Sequence, residues 1–413
     1  MEFDYRTLDD FELRDKRVLL RLDINVPLDP TSKRILDEGR IIAAIPTIDA
    51  LAASKVTVLS HQSRPGKDDF TSLQQHATIL QSNCSQLVRF VDDVMGPAAR
   101  QAIRDLRSGE VLVLDNVRFC AEENLEDVGE KLARTNLVSR LSPFFDLYVN
   151  DAFATSHRSQ ASLVGFPYLL PSAAGKLMER ELAALKKLFV APVRPSTYVL
   201  GGAKVEDKVP VIENILATGK ADNVLVGGNV AKVFLKAADH KLSQADEQDL
   251  AQHTDELLKA NRILSKYRKR IVLPTDFGIV VNGRRVDTPT ARLVRLARGS
   301  RALDIGTKSA KEFAGIIRRS KTVVASGPMG VFEEEGFESG TRAVLESMAH
   351  SDAFTVVGGG HLAGYAGILG ISERLSHVST AGGAMLSLLA GEQLPAIAAL
   401  GEAAKRDNKR ARP

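Results

Sequence analysis

The stretch VLLRLDINVPLD, residues 18–29, decides the first half of the fold. Apolar and polar positions alternate along it, and period-two alternation predicts a β-strand with one core-facing side. The aliphatic side consists of Val18, Leu20, Leu22, Ile24 and Val26. The opposite side carries Arg21, Asp23 and Asn25, just before the run stops at Pro27. This polar row is either the solvated face of an edge strand or one wall of a binding site, and the strand alone leaves both interpretations open.

Three more aliphatic runs follow, KVTVLSHQSRPG, EVLVLDNVRF and DLYVNDAFATSHR, with helical patterns such as GRIIAAIPTIDALAAS between them. Alternating strands and helices predict a mostly parallel α/β sheet, in which ligands bind beyond the carboxyl ends of the strands. Polar side chains recur at those ends: His61, Arg64, Asp115, Asn116, Arg118, Asn150, Asp151, His157 and Arg158. If the ends converge, their arginines form a basic pocket suited to phosphate or carboxylate. Asp23 and Asn25 would then bind a substrate hydroxyl or hold an arginine in place.

The composition sets limits on the class of protein. A chain of 413 residues with 44% hydrophobic and 26% charged residues predicts a globular protein of two domains. The start MEFDYRTLDD lacks the apolar core of a signal peptide, and no uncharged apolar run approaches ~18 residues, so we expect no membrane span. Two cysteines, Cys84 and Cys120, fit neither a disulfide framework nor a zinc motif. This cysteine usage makes the cytoplasm the expected location. The net charge is only +4, so we expect no nucleic-acid partner, and we expect a monomer.

The middle of the chain carries the segment SAAGKLMERELAALKKLF. Its apolar stripe predicts a helix that begins near Ser172, a plausible N-cap, and ends before Pro192. We expect this helix to connect the two domains.

The second half repeats the strand rhythm with glycine-rich turns, in TYVLGGAKVEDK, NVLVGGNVAK, IVLPTDFG, ALDIGTKS, TVVASGPMGVFE and FTVVGGGHLAG. Glycine turns ahead of helices let backbone N–H groups approach phosphate. Lys204 and Lys208, four residues apart, predict two ammonium groups on one helical face. A further helix start follows Gly382 and Gly383 in SHVSTAGGAMLSLLAG. Together these turns predict a nucleotide-sized site.

Other nucleotide motifs fit poorly. No Gly-Lys pair is followed by Ser or Thr, so there is no Walker A loop. Gly358, Gly360 and Ala363 match a dinucleotide fingerprint, but the acidic residue expected about 20 positions later is missing. A nicotinamide dehydrogenase is therefore a weak alternative. A non-catalytic polyanion-binding module would explain the basic loops but not the glycine-rich half.

Taken together and in order, the segments RLDINVP, SHQSRPG, DNVRF, NDAFATSHR, LGGAKVEDK, SGPMGVFE and SHVSTAGGA resemble the phosphoglycerate kinase family over nearly the whole chain. The resemblance implies two Rossmann-like parallel-sheet domains joined by a helix across a cleft. It implies a phosphoglycerate-binding domain at residues 1–171, a connecting helix at 172–190 and a nucleotide-binding domain at 191–385. Residues 386–413 would pack back on the N-terminal domain. The implied reaction is reversible in-line phosphoryl transfer between 1,3-bisphosphoglycerate and ADP, giving 3-phosphoglycerate and ATP, with Mg²⁺ accompanying the nucleotide.

The resemblance also implies roles for individual residues. Arg40, Lys204, Gly382 and Gly383 would stabilise the transferring phosphoryl group. The phosphoglycerate would be bound by Asp23, Asn25, Arg40, His61, Gln62, Ser63, Arg64, Arg118 and Arg158. The nucleotide would be bound by Lys204, Lys208, Glu333, Gly358, Gly359, Gly360 and His361, with Glu333 on the ribose hydroxyls.

Several positions depart from the commoner family pattern. Asp115 replaces a Glu, Ala325-Ser326 replaces Trp-Asn, and Ala381 replaces a Gly. His361 stands where most members carry a metal-binding Asp, and a His there resembles archaeal members. The protein ligands of magnesium are therefore left open.

Overall fold

The computed structural model describes residues 4–190 and 192–410. The chain forms two compact units, and the division falls inside one helix. The N-terminal unit contains the residues up to 183 together with those from 393 onward, and the C-terminal unit contains residues 184–392. Each unit is built on a six-stranded sheet in which all paired strands are parallel. Within the described residues, no helix has the length and apolar character needed to cross a membrane.

The sheet of the N-terminal unit has the strand order β3-β4-β2-β1-β5-β6. Its strands are β1 Arg17–Arg21, β2 Lys55–Leu59, β3 Leu87–Val91, β4 Glu110–Leu114, β5 Leu147–Asn150 and β6 Ser172–Ala174. Its helices are α1 Gly39–Ala43, α2 Ile45–Ala50, α3 Gln74–Asn83, α4 Pro97–Arg104, α5 Gly129–Leu132, α6 Asn136–Leu141, α7 Phe166–Leu169 and the start of α8 Lys176–Val190.

The strand β1 lies between β2 and β5 and is buried on both faces, so the edge-strand interpretation is wrong. The ladder ends at Arg21, earlier than the alternation predicted, although residues 22–26 remain largely buried. Beyond it the side-chain amide of Gln62 replaces the ladder. Gln62 accepts from the N–H of Val26 at 3.1 Å and donates to the carbonyl of Val26 at 2.9 Å. This contact fixes the chain where it continues beyond the carboxyl end of β1.

The predicted connecting helix starts later than Ser172, so that prediction is wrong. Residues 172–174 form the short strand β6, which pairs with β5 at the sheet edge. Helix α8 begins at Lys176, where the buried carboxylate of Asp151 accepts the N–H of Met178 at 3.0 Å. Asp151, at the end of β5, therefore caps the helix. Ser172, the predicted cap, is instead part of β6. Similarly, the helical pattern around Pro46 is split into α1 and α2, with the proline in the first turn of α2.

The sheet of the C-terminal unit has the order β15-β14-β13-β7-β8-β9, and a separate three-stranded sheet has the order β11-β10-β12. The strands are β7 Ser196–Leu200, β8 Asn223–Val226, β9 Ile271–Val272, β10 Asp276–Val281, β11 Arg284–Pro289, β12 Asp304–Ile305, β13 Thr322–Ser326, β14 Phe354–Gly358 and β15 His377–Ser379. The helices are α9 Val205–Ala217, α10 Gly228–Ala237, α11 Gln244–Asp249, α12 Thr254–Tyr267, α13 Thr307–Arg319, α14 Ser339–Ala349, α15 Gly360–Ile368 and α16 Gly383–Leu389. The start of IVLPTDFG forms β9, which pairs with β8 in the parallel sheet, as expected. The strand expected in ALDIGTKS is β12, which pairs antiparallel with β10 and does not extend the parallel sheet.

The last helix, α17 Pro395–Arg410, belongs to the N-terminal unit. The N–H of Ala396 donates to the carbonyl of Ser156 at 3.2 Å. The Arg406 guanidinium donates to the carbonyl of Pro167 at 2.6 Å. These contacts attach the C-terminal segment to the loop that follows β5 and to α7.

Candidate active site

Four neighbouring strands of the N-terminal unit, β4, β2, β1 and β5, end at the same edge of the sheet. His61, which follows β2, is buried there and is influenced by the charges of four arginines: Arg21, Arg40, Arg118 and Arg158. We call these four side chains the arginine cluster. Burial first, and then the arginine charges, hold the pKa of His61 well below its usual range. His61 is therefore neutral at physiological pH, and the positive charge of the site comes from arginine.

Two members of the cluster have buried donors that lack a partner. The Nε atoms of Arg118 and Arg158 make no hydrogen bond within the described residues. Burial, followed by the charges of Arg158 and Arg21, lowers the pKa of Arg118 to about 10. Guanidinium groups that repel one another and have unpaired N–H donors are typical of a site that is completed by an anion.

Asp23 and Asn25 order the wall of this site, as one of the two predicted roles requires. The Asp23 carboxylate accepts from the Arg40 guanidinium at 3.0 Å and from the N–H of Asn25 at 3.1 Å. The Asn25 side chain accepts the N–H of Ser63 at 2.8 Å. Ser63 adopts a left-handed backbone with φ of 56°, so this contact stabilises a conformation that serine rarely takes. Asp23 therefore holds Arg40, and Asn25 fixes the loop after β2.

The other predicted residues of this loop differ in exposure. Gln62 is fully buried and contacts both Val26 and His76. Its Oε1 lies 3.1 Å from Nε2 of His76. Gln62 therefore supports the loop from its buried side. Arg64 is exposed. Asn116, after β4, donates to the carbonyls of Gln62 at 2.8 Å and Thr71 at 2.9 Å. The loops after β2 and β4 are thus joined.

Arg21 proves to be a buried support of the site. Its side chain has no exposed surface and donates to the Ser162 hydroxyl at 2.8 Å, and its Nη2 lies 3.3 Å from Nδ1 of His61. Ser162 in turn donates from its N–H and its hydroxyl to the carboxylate of Glu123, at 2.8 and 2.6 Å. Sequence reasoning missed Glu123, because it lies in the run AEEN, which is typical of a solvated loop.

The C-terminal unit contains a cavity of about 530 Å³, which we call the glycine cavity. It is lined by residues from most of the predicted turns, including Gly201, Gly202, Lys204, Asp207, Lys208, Gly228, Lys232, Ala302, Leu303, Ser326, Gly330, Glu333, Gly359, Gly360, His361, Gly382 and Gly383. The prediction that these turns come together is confirmed within this unit. Gly358 differs, because it ends β14 and packs against Met385, where an added Cβ would lie 2.1 Å from the methionine methyl group.

Lys208 lies on the first turns of α9 and is buried. Its ammonium donates to the Ser326 hydroxyl at 3.0 Å, at the end of β13. The pKa of Lys208 is lowered to about 8, mainly by burial; the charge of Asp207 opposes this change, and the charge of Lys204 adds to it. Lys204 is exposed at the N-cap position of the same helix. Both residues line the cavity, although Lys204 precedes the helix and does not lie on its face as the spacing predicted.

The helix starts of α15 and α16 also line the cavity. Gly359 precedes α15 with φ of 102°, a conformation that excludes most side chains. A Cβ added at Gly382 would lie 3.1 Å from the Cα of Gly359, so the two backbones are in close contact. Ala381 is buried and its N–H bonds to the Ser379 hydroxyl at 3.2 Å, so this substitution leaves Gly382 and Gly383 at the cavity wall.

Lys232 is a lining residue that sequence reasoning missed. It lies four residues after Gly228 on α10, the spacing that brought Lys204 and Lys208 to notice, so the signal was present in GGNVAK. The described residues include no group of three or more His, Cys, Asp or Glu suited to a metal ion. The cavity does present the carboxylates of Asp207 and Glu333.

An arginine cluster and a lysine- and glycine-lined cavity on two parallel-sheet units are features typical of a nucleotide-dependent phosphotransferase. The model of the phosphoglycerate kinase family matches residues 8–392. The phosphoglycerate kinase of Methanothermus fervidus is 44% identical over 98% of this chain and 99% of that protein. The crystal structure of phosphoglycerate kinase from Pyrococcus horikoshii is similar with a TM-score of 0.90 and 40% identity, over 97% of this chain and 99% of that one. The chain therefore belongs to the phosphoglycerate kinase family.

A more distant relative shares the fold as well. The structure of phosphoglycerate kinase from Coxiella burnetii matches with a TM-score of 0.80 and 30% identity, over 96% of this chain and 99% of that one. The resemblance inferred from the motifs is confirmed, and so are the phosphoryl-transfer activity and the architecture of two parallel-sheet domains.

Proposed function

We propose that this chain performs the family reaction with the arginine cluster as the phosphoglycerate site and the glycine cavity as the nucleotide site. The observation that carries the proposal is the pair of unpartnered, buried Nε donors on Arg118 and Arg158 beside a neutral His61. Such donors suit the oxygens of a phosphate. Arg64, exposed on the loop after β2, would add a further contact to it.

The glycerate end would lie against Asp23 and Asn25, at the end of the chain that continues from β1. Gln62 and Ser63 would act by holding the loop, since Gln62 is buried against Val26. Arg40, held by Asp23 at 3.0 Å, would face the carboxyl group that accepts or releases the phosphoryl group.

In the C-terminal unit, Lys208 and Lys204 would bind the nucleotide phosphates. Gly359, Gly360, Gly382 and Gly383 would offer backbone N–H groups at the starts of two helices. Glu333, exposed at the cavity wall, would accept hydrogen bonds from the ribose hydroxyls. His361 would lie beside the phosphates, while Gly358 would act by packing against Met385.

Members of the family use ATP and ADP, and we propose Mg²⁺ as the accompanying ion. The donor set fits magnesium, which usually retains several waters and binds phosphates plus one or two carboxylates. Asp207, close enough to influence Lys208, would supply such a carboxylate. Magnesium would neutralise charge on the phosphate oxygens.

The chemistry needs no protein nucleophile and no general base, because both nucleophiles are already anions. The protein must supply positive charge and donors around the phosphoryl group in a site from which water is excluded. Arg40 and Lys204 would supply that charge.

The two substrates bind to different units, so we propose that α8, which crosses the division, is part of a hinge. We expect small-angle scattering to show compaction when both substrates are bound, and unchanged scattering would oppose this proposal. The cytoplasmic location and the monomeric state stay predictions.

The proposal is tested by a coupled assay with 3-phosphoglycerate and Mg-ATP on wild type, Arg40→Ala and Arg17→Ala. Arg17 pairs with Asp146 on the exposed part of β1 and serves as a matched control. Loss of an arginine that stabilises phosphoryl transfer costs roughly 10³–10⁵ in rate, so Arg40→Ala should be nearly inactive and Arg17→Ala normal. Equal turnover in all three would remove the role of Arg40. Saturable ATP binding by folded wild type without turnover would favour a binding module.

A further inference from the structure

The lining of the glycine cavity includes two chemically different groups of residues. One group is Lys208, Ser326 and the glycines before α15 and α16, which contact one another. The other group is Ala302 and Leu303, just before β12, and Lys232 on α10, which Asp246 links to Ala302. The carbonyl of Leu303 accepts the N–H of Val331 at 2.7 Å, which places this group beside the segment that carries Glu333. A nucleotide with its phosphates on the first group and its ribose near Glu333 would have its base at the second group, beside Lys232.

Lys232 forms a buried ion pair. Its ammonium lies 2.7 Å from Oδ1 of Asp246, and the two side chains are only 7% and 0% exposed. The other carboxylate oxygen, Oδ2, accepts the Ser243 hydroxyl at 2.7 Å and the N–H of Ala302 at 3.1 Å. Asp246 therefore orients the ammonium and, at the same time, fixes the backbone of the wall beside it.

The Lys232 ammonium has more hydrogen-bond donors than its contact with Asp246 can use. It carries three N–H donors and faces one oxygen of Asp246. Among the described residues, Asp246 is the polar partner that the structure gives Lys232. A buried ion pair is weak evidence for stability, because apolar residues of similar volume often replace such pairs at no cost. A buried ammonium with unused donors at a cavity wall is instead suited to a ligand that brings an acceptor.

We propose that Lys232 recognises the base of the bound nucleotide, by donating a hydrogen bond to an unprotonated ring nitrogen of a purine. Asp246 is the positioning residue, and Leu303 provides the apolar surface beside the base. The inference rests on the proposed function, and it adds the base-recognition element to that site. An ammonium can only donate, so this contact suits a ring nitrogen and does not suit the exocyclic amine of adenine.

The test is calorimetric titration of wild type and Lys232→Met with Mg-ADP and with 1-deaza-, 3-deaza- and 7-deaza-ADP. Each analogue replaces one ring nitrogen by C–H. We expect one analogue to bind wild type roughly 10- to 100-fold more weakly than ADP. Lys232→Met should bind ADP more weakly by a similar factor and should not distinguish ADP from that analogue. Equal binding of ADP and all three analogues by wild type, or an analogue effect that persists in the variant, would overturn the inference.

Two further variants keep the test independent of folding. In the double variant Lys232→Met/Asp246→Asn both charges are removed, so no unpaired carboxylate is buried, and the same loss of discrimination is expected. Lys236→Met is the matched control, since Lys236 lies one turn further along α10 and pairs with Glu247. It should bind ADP and the analogues as wild type does, and discrimination lost equally there would count against Lys232.

The two proposals can fail separately. Wild type that does not bind Mg-ADP, or binds it without turnover of 3-phosphoglycerate, would refute the proposed function. Wild type that turns over but binds the deaza analogues as well as ADP would refute only the role of Lys232.

Discussion

The Asp151 carboxylate joins Thr47 of α2 to the start of α8. One oxygen accepts the Thr47 hydroxyl at 2.5 Å, and the other accepts the N–H of Met178 at 3.0 Å. The Thr47 hydroxyl oxygen also accepts the N–H of Lys176 at 3.0 Å. The helix that crosses the division of the chain is therefore anchored to the segment that follows Arg40.

This anchor predicts an unusual dependence of stability on pH. Burial raises the pKa of Asp151 to about 6, above the value of 3.8 for an ordinary aspartate. Between these values the folded protein holds a proton that the unfolded chain has released, so this group stabilises the fold at low pH and loses that contribution as pH rises to about 6. We expect the stability difference between wild type and Asp151→Asn to shrink by roughly 1–3 kcal/mol between pH 4.5 and 7.

Urea unfolding followed by far-UV circular dichroism measures this difference, since the chain contains no tryptophan. Asp146→Asn is a control of opposite sign. Its hydrogen bond with Arg17 lowers the pKa of Asp146, so its contribution is present at neutral pH and is lost as pH falls. A difference for Asp151→Asn that is the same at every pH would contradict the prediction.

Much of the N-terminal site could be predicted, because its residues follow strands whose alternation is visible and whose ends must meet in a parallel sheet. His61, Arg118 and Arg158 are of this kind. Arg21 is different. Alternation predicted that Arg21 and Asp23 lie on the same face of one strand, but the strand ends at Arg21. Arg21 contacts Ser162, whereas Asp23 contacts Arg40. The start of α8 could not be predicted from Ser172, since only tertiary pairing makes that segment a strand.

The less visible parts of the C-terminal unit depend on long-range contacts. The strands β9 and β12 contain two residues each, too few for any periodicity. The segment GGNVAK signals the place of Lys232 at a turn, but its ion pair with Asp246 and the bond from Ala302 to Asp246 leave no pattern in the sequence.

Lys208 predicts that nucleotide affinity depends on pH. Its pKa of about 8 means that the free protein loses this positive charge above pH 8, while bound phosphate would favour the charged form. Affinity of wild type for Mg-ADP should therefore fall as pH rises from 7 to 9, with proton uptake on binding. Lys208→Met should bind roughly 10- to 100-fold more weakly at pH 7 and should lose most of the pH dependence.

Calorimetry at pH 7, 8 and 9, in buffers of different ionisation enthalpy, measures both effects. Lys220→Met is a suitable control, because Lys220 lies over the ring of Phe189 and is not among the cavity residues. Parallel pH profiles for wild type and Lys208→Met would show that another group is responsible.

The buried position of Arg21 predicts that its replacement lowers stability much more than replacement of Arg17, at the start of the same strand. Arg21→Met removes the larger of the two arginine charges that act on the buried carboxylate of Glu123 and leaves only that of Arg118. We expect this to cost about 2–4 kcal/mol in the free energy of unfolding. Arg17→Met removes an exposed pair and should cost at most about 1 kcal/mol. Urea unfolding of both variants tests the contrast. The double variant Arg21→Met/Glu123→Gln should recover part of the loss, and additive effects would mean that the two charges do not interact.

Asp23 predicts a loss of activity that is confined to one substrate. Asp23→Asn preserves the shape of the side chain but weakens its bond to the Arg40 guanidinium, which is a hydrogen bond between charged groups. Such bonds contribute about 1.5–3 kcal/mol, so kcat/KM for 3-phosphoglycerate should fall roughly 10- to 100-fold. The dissociation constant of Mg-ADP should not change, because the glycine cavity belongs to the other unit. Asp29 is a half-buried acid that accepts the Ser32 N–H at 2.6 Å and does not contact Arg40, so Asp29→Asn should behave as wild type in the same assay. A decrease in Mg-ADP affinity equal to the loss in kcat/KM would instead indicate a general defect in folding.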